Sequence, residues 1–113
     1  MIQIYHNPRC SKSREGMGIL ENSGKEFETV EYMKGILSVN KLKDLIQKLK
    51  IEPMDLVRKN ETIWKENFKD KNLSEDQIIQ AMHEFPNLIE RPIVVNGSKA
   101  IIGRPPVLIK DIL

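Results

Sequence analysis

Cysteine is nearly absent from this chain: among 113 residues there is a single one, Cys10. One cysteine excludes an internal disulfide, and with it a disulfide-stapled scaffold or a zinc site built from several thiolates. Such sparing use of cysteine is typical of a reducing compartment, so we expect a cytoplasmic protein. Any redox cycle at Cys10 must take its second thiol from another molecule.

Long apolar runs are lacking as well. The N-terminal stretch 1–5 is too short for the apolar region of a signal peptide, and no run approaches the ~20 residues of a membrane span. The 18 basic and 16 acidic residues nearly cancel, leaving a net charge of +2. Charge alone therefore does not indicate a nucleic-acid partner. We expect a monomer with neither a nucleic-acid nor a membrane partner.

The first third of the chain has the pattern of a β-α-β unit. A short β-type run at 2–5 precedes a helix that is closed near Gly24, and residues 27–32 are rich in strand formers. Gly16 and Gly18 weaken that helix by about 1 kcal/mol each relative to alanine. Their lack of a side chain would instead permit close packing against a sheet.

The remainder predicts a helical stretch, then a hairpin and a short C-terminal helix. Ser38 and Ser74 have the positions of helix N-caps, the second in a capping box. Residues 93–102 have the form of a β-hairpin with Asn96-Gly97 as a two-residue turn, or with a turn that is longer by a residue or two. The order predicts an α/β fold with a thioredoxin-like mixed sheet. The whole chain would be one domain, with a helical insertion at about 36–85.

Cys10 lies in a polar, basic loop that opens the first helix. Helix N-termini offer free backbone N–H groups that stabilise anions, here a thiolate or an oxyanion substrate. Arg9, Lys12 and Arg14 add positive charge, and His6 lies four residues before the cysteine. The alternative interpretation is that Cys10 serves as a small buried apolar residue, as free cysteines often do. The polar neighbours favour a reactive thiol.

The spacing around Cys10 excludes two familiar thiol chemistries. Ser13 stands three residues later, so the motif is C-x-x-S and not the dithiol C-x-x-C. A phosphatase-type loop, C-x5-R, would need an arginine where Gly16 stands. His6, Cys10 and the distant His83 make a poor metal-ligand set. We predict neither a metal nor a bound cofactor.

Three arginines outside the loop are candidates for binding an oxyanion. Arg91 and Arg104 each precede a proline beside a predicted strand, and Arg58 follows a short apolar stretch. A single arginine is more often a solvated surface residue. Three guanidiniums around one cysteine would nevertheless hold a tetrahedral oxyanion, since each can donate two hydrogen bonds. Spacing along the sequence leaves open whether they converge.

Four separated segments together resemble the glutaredoxin-coupled arsenate reductases, an ArsC-like family. They are HNPRCSKSR at 6–14, LVRKNE at 56–61, ERPIVV at 90–95 and IGRPP at 102–106. The resemblance covers nearly the whole chain and is to the short, chromosomal branch of the family. It implies a thioredoxin-like sheet with a helical insertion.

The resemblance also implies roles for individual residues. Cys10 would be the nucleophile that attacks arsenate, His6 would help to lower the pKa of Cys10, and the bond before Pro92 would be cis. The oxyanion would be bound by the arginine triad Arg58, Arg91 and Arg104. The other polar residues of the loop would contact the substrate: Asn7, Ser11, Lys12, Ser13 and Arg14.

The pathway implied by the resemblance supplies the external thiols that one cysteine requires. Glutathione, as co-substrate, would attack the thiol–arsenate adduct, and glutaredoxin would resolve the mixed disulfide and release arsenite. Two alternatives stay open. One is a glutathione-dependent thiol transferase similar to monothiol glutaredoxins. The other is an Spx-like transcriptional regulator that binds RNA polymerase, although Ser13 removes the C-x-x-C switch that many of those carry.

Overall fold

The computed structural model describes residues 2–34 and 37–113, which fall into two units. One unit comprises Met1–Ile36 and Arg91–Leu113, and the other comprises Leu37–Glu90. The second unit corresponds to the predicted helical insertion, whose expected first residue, Ile36, lies outside the described residues. That the two units form a single domain stays a prediction.

A mixed four-stranded sheet forms the frame of the first unit, in the order β2-β1-β3-β4. The strands are β1 (Ile2–Tyr5), β2 (Phe27–Val30), β3 (Ile93–Asn96) and β4 (Lys99–Ile102). β1 is parallel to β2 and antiparallel to β3, and β4 is antiparallel to β3. Helix α1 (Ser11–Asn22) connects the two parallel strands. The predicted thioredoxin-like mixed sheet is therefore confirmed.

The β3–β4 hairpin differs from the prediction in its turn. Asn96 pairs with Lys99 across the two strands, so the turn residues are Gly97 and Ser98. Gly97 has a φ of +64°, a conformation that glycine adopts without steric cost. The prediction that Asn96 and Gly97 form the turn is wrong by one residue, because the glycine takes the first turn position.

The core of the first unit joins the sheet to α1 and to the C-terminal segment. Its buried members come from β1, α1, β3 and the 3-10 helix Pro106–Ile112, which is the short helix predicted after the proline pair. They are Ile2, Ile4, Leu20, Val94 and Ile109. Burial of each such side chain contributes about 1.5–3 kcal/mol. This packing fixes both elements that flank the Cys10 loop.

The second unit consists of helices α2 (Val39–Leu49), α3 (Thr62–Asn67) and α4 (Glu75–Glu84) with short 3-10 segments. Both predicted N-caps are confirmed: Ser38 Oγ accepts from a backbone N–H of α2, and Ser74 forms a capping box with Gln77. Within residues 2–34 and 37–113, no helix has the length and apolar content to cross a membrane.

Candidate active site

The loop between β1 and α1 places Cys10 at the N-terminus of the helix. Cys10 is the N-cap residue and has extended backbone angles, φ −98° and ψ 124°. Its N–H donates to the carbonyl oxygen of Asn7 at 3.0 Å, and the Asn7 side chain accepts from the N–H of Arg9 at 3.1 Å. Because Asn7 is buried and engaged in the loop, it shapes the turn that presents the thiol.

A buried hydrogen-bonded pair ties this loop to the first turn of α1. Ser13 Oγ lies 2.7 Å from Nδ1 of His6 and accepts from the N–H of Asn7 at 3.0 Å. Ser13 is fully buried and His6 is nearly so. The Ser13 hydroxyl is thus committed within the loop. The contact of Ser13 with a substrate stays a prediction.

The other predicted substrate-binding residues of the loop are exposed. The guanidinium of Arg14 donates to the carbonyl oxygen of Pro8 at 2.9 Å, and Lys12 forms a solvent-exposed ion pair with Glu15 at 3.7 Å. Ser11 is the first residue of α1. Arg14 therefore holds the loop, and the roles of Ser11, Lys12 and Arg14 toward a substrate stay predictions.

Two of the three predicted arginines lie beside the sulfur. Arg91 is buried, and the hydrogen bonding and positive charge of its side chain lower the pKa of the Cys10 thiol. Arg104 reaches the same sulfur with Nη2 at 3.6 Å, while its Nε donates to the carbonyl oxygen of Arg91 at 2.8 Å. The bond before Pro92 is cis, as the resemblance implied, and so is the bond before Pro105, which was not predicted.

The register of the sheet explains why these distant residues meet. Tyr5, at the end of β1, pairs with Ile93, at the start of β3, and Ile93 pairs in turn with Ile102, at the end of β4. The segment after β1, the segment before β3 and the segment after β4 therefore meet at one edge of the sheet. Those segments carry Cys10, Arg91 and Arg104, respectively.

This environment lowers the pKa of Cys10. Burial makes the largest single contribution and raises the pKa, because it disfavours the charged thiolate. It is outweighed by hydrogen bonding from the Ser13 backbone, by the hydrogen bond and positive charge of Arg91, and by hydrogen bonding from the Lys12 backbone. The site is therefore built to hold a thiolate.

His6 contributes to the loop without charge. Burial, the largest cause, lowers the pKa of His6; the charge of Glu31 and hydrogen bonding from Ser13 raise it by less, and the charge of Arg14 adds the smallest, lowering effect. The ring is therefore mostly neutral at pH 7. His6 is not among the groups that lower the pKa of Cys10, and its predicted influence on that pKa stays a prediction.

Arg58 lies in the second unit. Two backbone hydrogen bonds bracket it: the N–H of Arg58 donates to Leu88 at 2.7 Å, and the N–H of Glu90 donates to Leu56 at 2.8 Å. Its Nε lies 3.8 Å from a carboxylate oxygen of Glu61. The backbone of Arg58 is thus well fixed. Its convergence with Cys10 stays a prediction.

The lowered pKa of Cys10 has a direct chemical consequence. Because thiolates and not thiols react with iodoacetamide, we expect alkylation of the chain to persist at pH values where a free thiol, with a pKa of ~8.5, is protonated. The rate should fall only as the pH drops through the lowered pKa. The measurement is the pH profile of alkylation by intact mass, with free glutathione as the reference. A midpoint at or above that of the reference would contradict the lowered pKa.

Within the described ranges 2–34 and 37–113, no group of three or more His, Cys, Asp and Glu side chains could hold a metal ion. His83, considered above with His6 and Cys10, belongs to the second unit. There its Nδ1 lies 2.7 Å from the carbonyl oxygen of Leu37. That contact gives His83 a structural place at the C-terminal end of α4.

Comparison with known proteins identifies the family of this chain. A family model described as the ArsC family matches residues 5–112. The chain belongs to the ArsC family. It is 46% identical to an uncharacterised protein of Escherichia coli K12, YfgD, over 99% of this chain and 96% of that protein. It is 43% identical to an arsenate reductase of Haemophilus influenzae, over 99% and 98% of the two chains.

A solved structure extends the ArsC-family likeness to three dimensions. The arsenate reductase from Vibrio cholerae superposes with a TM-score of 0.94 at 46% identity, covering 99% of this chain and 97% of that one. The mixed sheet and the helical unit of this ArsC-family chain are thus both shared with a solved relative.

Sequence reasoning missed how this ArsC-family loop supports itself. It did not foresee that the side chains of Asn7 and Ser13 both bond to the loop backbone. Their contacts with a substrate stay predictions. The signal was present in part, since an asparagine before a proline often bonds to the backbone two residues on. The His6–Ser13 contact carries no local signal, because it depends on how β1 and α1 are placed.

Proposed function

We propose that this ArsC-family protein is an arsenate reductase whose nucleophile is Cys10. The observation that carries the proposal is the placement of the sulfur at a helix N-terminus and 3.6 Å from Nη2 of Arg104. Hydrogen bonding and positive charge from Arg91 lower the pKa of the same thiol. The names of the relatives from Haemophilus influenzae and Vibrio cholerae support it.

The charges at the site suit the attack of one anion on another. Arsenate is a tetrahedral oxyanion, and a thiolate repels it. The guanidiniums of Arg91 and Arg104 offset both negative charges, and each can donate a pair of hydrogen bonds to arsenate oxygens. In this proposal Arg58 supplies the third guanidinium that binds arsenate. At the first turn of α1, hydrogen bonding from the Lys12 and Ser13 backbone stabilises the attacking thiolate.

The redox chemistry balances with two external thiol donors. Attack by the thiolate forms a sulfur–arsenic bond, and one arsenate oxygen takes up protons and leaves as water. Glutathione then attacks the adduct. Arsenic gains an electron pair, from As(V) to As(III), while the sulfur atoms of Cys10 and glutathione join in a mixed disulfide. Glutaredoxin reduces that disulfide and arsenite leaves. Because the chain has only Cys10, both steps after the attack need partners.

The proposal is tested by following arsenite formation with arsenate, glutathione and glutaredoxin, then omitting each component in turn. We expect turnover only in the complete mixture. A thiol transferase would instead reduce mixed disulfides at full rate with no use for arsenate, and a regulator would bind RNA polymerase and form no arsenite. Either of those outcomes, without arsenite in the complete mixture, would contradict the proposal.

Arg58 separates reductase from transferase chemistry. Arg58→Ala should lower kcat/KM for arsenate by about 100-fold, because one donor to the developing oxyanion charge is lost. It should leave the reduction of a glutathione mixed disulfide nearly unchanged, since that substrate has no arsenate oxygens. The matched control is Lys59→Ala, which removes the adjacent exposed cation. Equal arsenate kinetics for both variants would show that Arg58 does not bind arsenate.

A further inference from the structure

Two glycines from different elements of the first unit face the same two side chains. A Cβ at Gly16, within α1, would lie 2.8 Å from Cγ of Pro92 and 3.0 Å from Cδ1 of Ile109. A Cβ at Gly103, after β4, would lie 2.9 Å and 3.0 Å from the same two atoms. Carbon atoms pack at about 3.5–4.0 Å. Neither position therefore accepts even an alanine without displacement.

The Pro92 ring is the less yielding of the two obstacles. It is closed and short, whereas Ile109 ends in a methyl group that can rotate. The backbone around the ring is also held from Gly103, whose N–H donates to the carbonyl oxygen of Pro92 at 2.8 Å. Pro92 directly follows Arg91, so a shift of the ring moves the residue that hydrogen-bonds to Cys10.

We propose that Gly16 and Gly103 are positioning residues: by leaving room for the Pro92 ring, they hold the Arg91 guanidinium against the sulfur of Cys10. This role explains why Gly16 stands in α1 although it weakens the helix, since the Cβ of an alanine there would occupy the space of the Pro92 ring. Two features support each other. The close approach is made from both glycines, and the carbonyl oxygens of Arg91 and Pro92 are bonded to Arg104 and Gly103, respectively.

Gly18 provides the matched control in the same helix. Apart from Gly18 itself, its two chain neighbours and the nearby backbone of α1, no heavy atom of the described residues lies within 4 Å of a Cβ placed on Gly18. Gly18→Ala makes the same chemical change and increases helix propensity to the same extent as Gly16→Ala. It should leave the site unchanged and leave the melting temperature equal or higher.

The experiment measures the thiolate absorbance of Cys10 against pH in the full chain. We expect Gly16→Ala and Gly103→Ala to raise the pKa of Cys10 above that of the wild type, because the Arg91 contact is weakened, and Gly18→Ala to leave it unchanged. In an Arg91→Ala background, the further substitution Gly16→Ala should no longer shift the pKa. That loss of effect distinguishes positioning through Arg91 from general loosening of the fold.

Activity provides a second readout, and only this readout rests on the proposed function. The two glycine variants should lose roughly 10- to 100-fold in arsenate turnover, as expected for a small misplacement of a site group. An inactive wild type with the expected pKa pattern would refute the proposed function but not the positioning. Two folded glycine variants with the wild-type pKa would refute the positioning.

Misfolding of a glycine variant does not end the test. Adding Ile109→Val removes the Cδ1 methyl group that both Cβ positions approach at 3.0 Å. Pro92→Ala removes the ring and adds no atom to the site. Both variants should raise the pKa of Cys10 above the wild-type value. A glycine variant that also carries Ile109→Val should raise it less than the glycine variant alone. A wild-type pKa in folded Pro92→Ala would overturn the proposal.

Discussion

Cys10→Ser should abolish arsenite formation, with a loss of about 10⁴-fold or more in turnover, down to the uncatalysed background. A serine hydroxyl is not ionised near neutral pH, so the lowered pKa of the thiol has no counterpart in the variant. The chain holds no second cysteine that could take over. The measurement is arsenite released in the complete mixture of arsenate, glutathione and glutaredoxin.

The fold of Cys10→Ser should be intact, because the sulfur lies at the partly exposed N-cap and outside the apolar core. An unchanged melting temperature is the control. An arsenate analogue such as sulfate should still bind, since Arg91 and Arg104 remain. Residual turnover within tenfold of the wild type would mean that the nucleophile is another group.

Arg91→Ala should have the second largest effect, because Arg91 acts on both reactants. Its hydrogen bond and charge lower the pKa of Cys10, so the variant should have a higher thiol pKa and less thiolate at pH 7. The variant also loses a donor to the oxyanion, for which we expect a further loss of about 10²- to 10³-fold in kcat/KM for arsenate. Steady-state kinetics across pH measure both effects.

The pH profile separates the two contributions of Arg91. Above the raised pKa of the variant, both proteins hold a full thiolate, so the deficit that remains reports the loss of oxyanion binding. Arg91→Lys should bring the pKa of Cys10 part of the way back to the wild-type value. It should restore little of the kcat/KM for arsenate, because an ammonium lacks the planar fork of a guanidinium. Lys99→Ala, an exposed cation of β4, is the control. Wild-type kinetics for Arg91→Ala would exclude the proposed pocket.

Local signals predicted much of the fold. The N-caps at Ser38 and Ser74 were predicted correctly, because a capping serine bonds to its own helix and needs no distant partner. The six-residue helix α3 was missed. It is too short to show an apolar stripe, and its buried Trp64 depends on packing rather than on local pattern. The hairpin turn was off by one residue because register follows the pairing of whole strands.

The site was predictable in its parts but not in its assembly. The basic loop marked Cys10 as a reactive thiol, and adjacent prolines marked Arg91 and Arg104. Their approach to Cys10 depends on the antiparallel pairing of Tyr5 with Ile93, which no local signal reveals. The same holds for the close approach of Gly16 to Pro92. Sequence reasoning anticipated that α1 could pack closely at its glycines, yet could not tell Gly16 from Gly18.

The most direct test of the central claim counts arsenite and glutathione disulfide together in the complete mixture. The claim is that one thiolate and two external thiol donors reduce arsenate at Cys10. It predicts one disulfide formed for each arsenite released by the wild type, and neither product above background with Cys10→Ser. Glutathione oxidation without arsenite, or equal arsenite from both proteins, would contradict it.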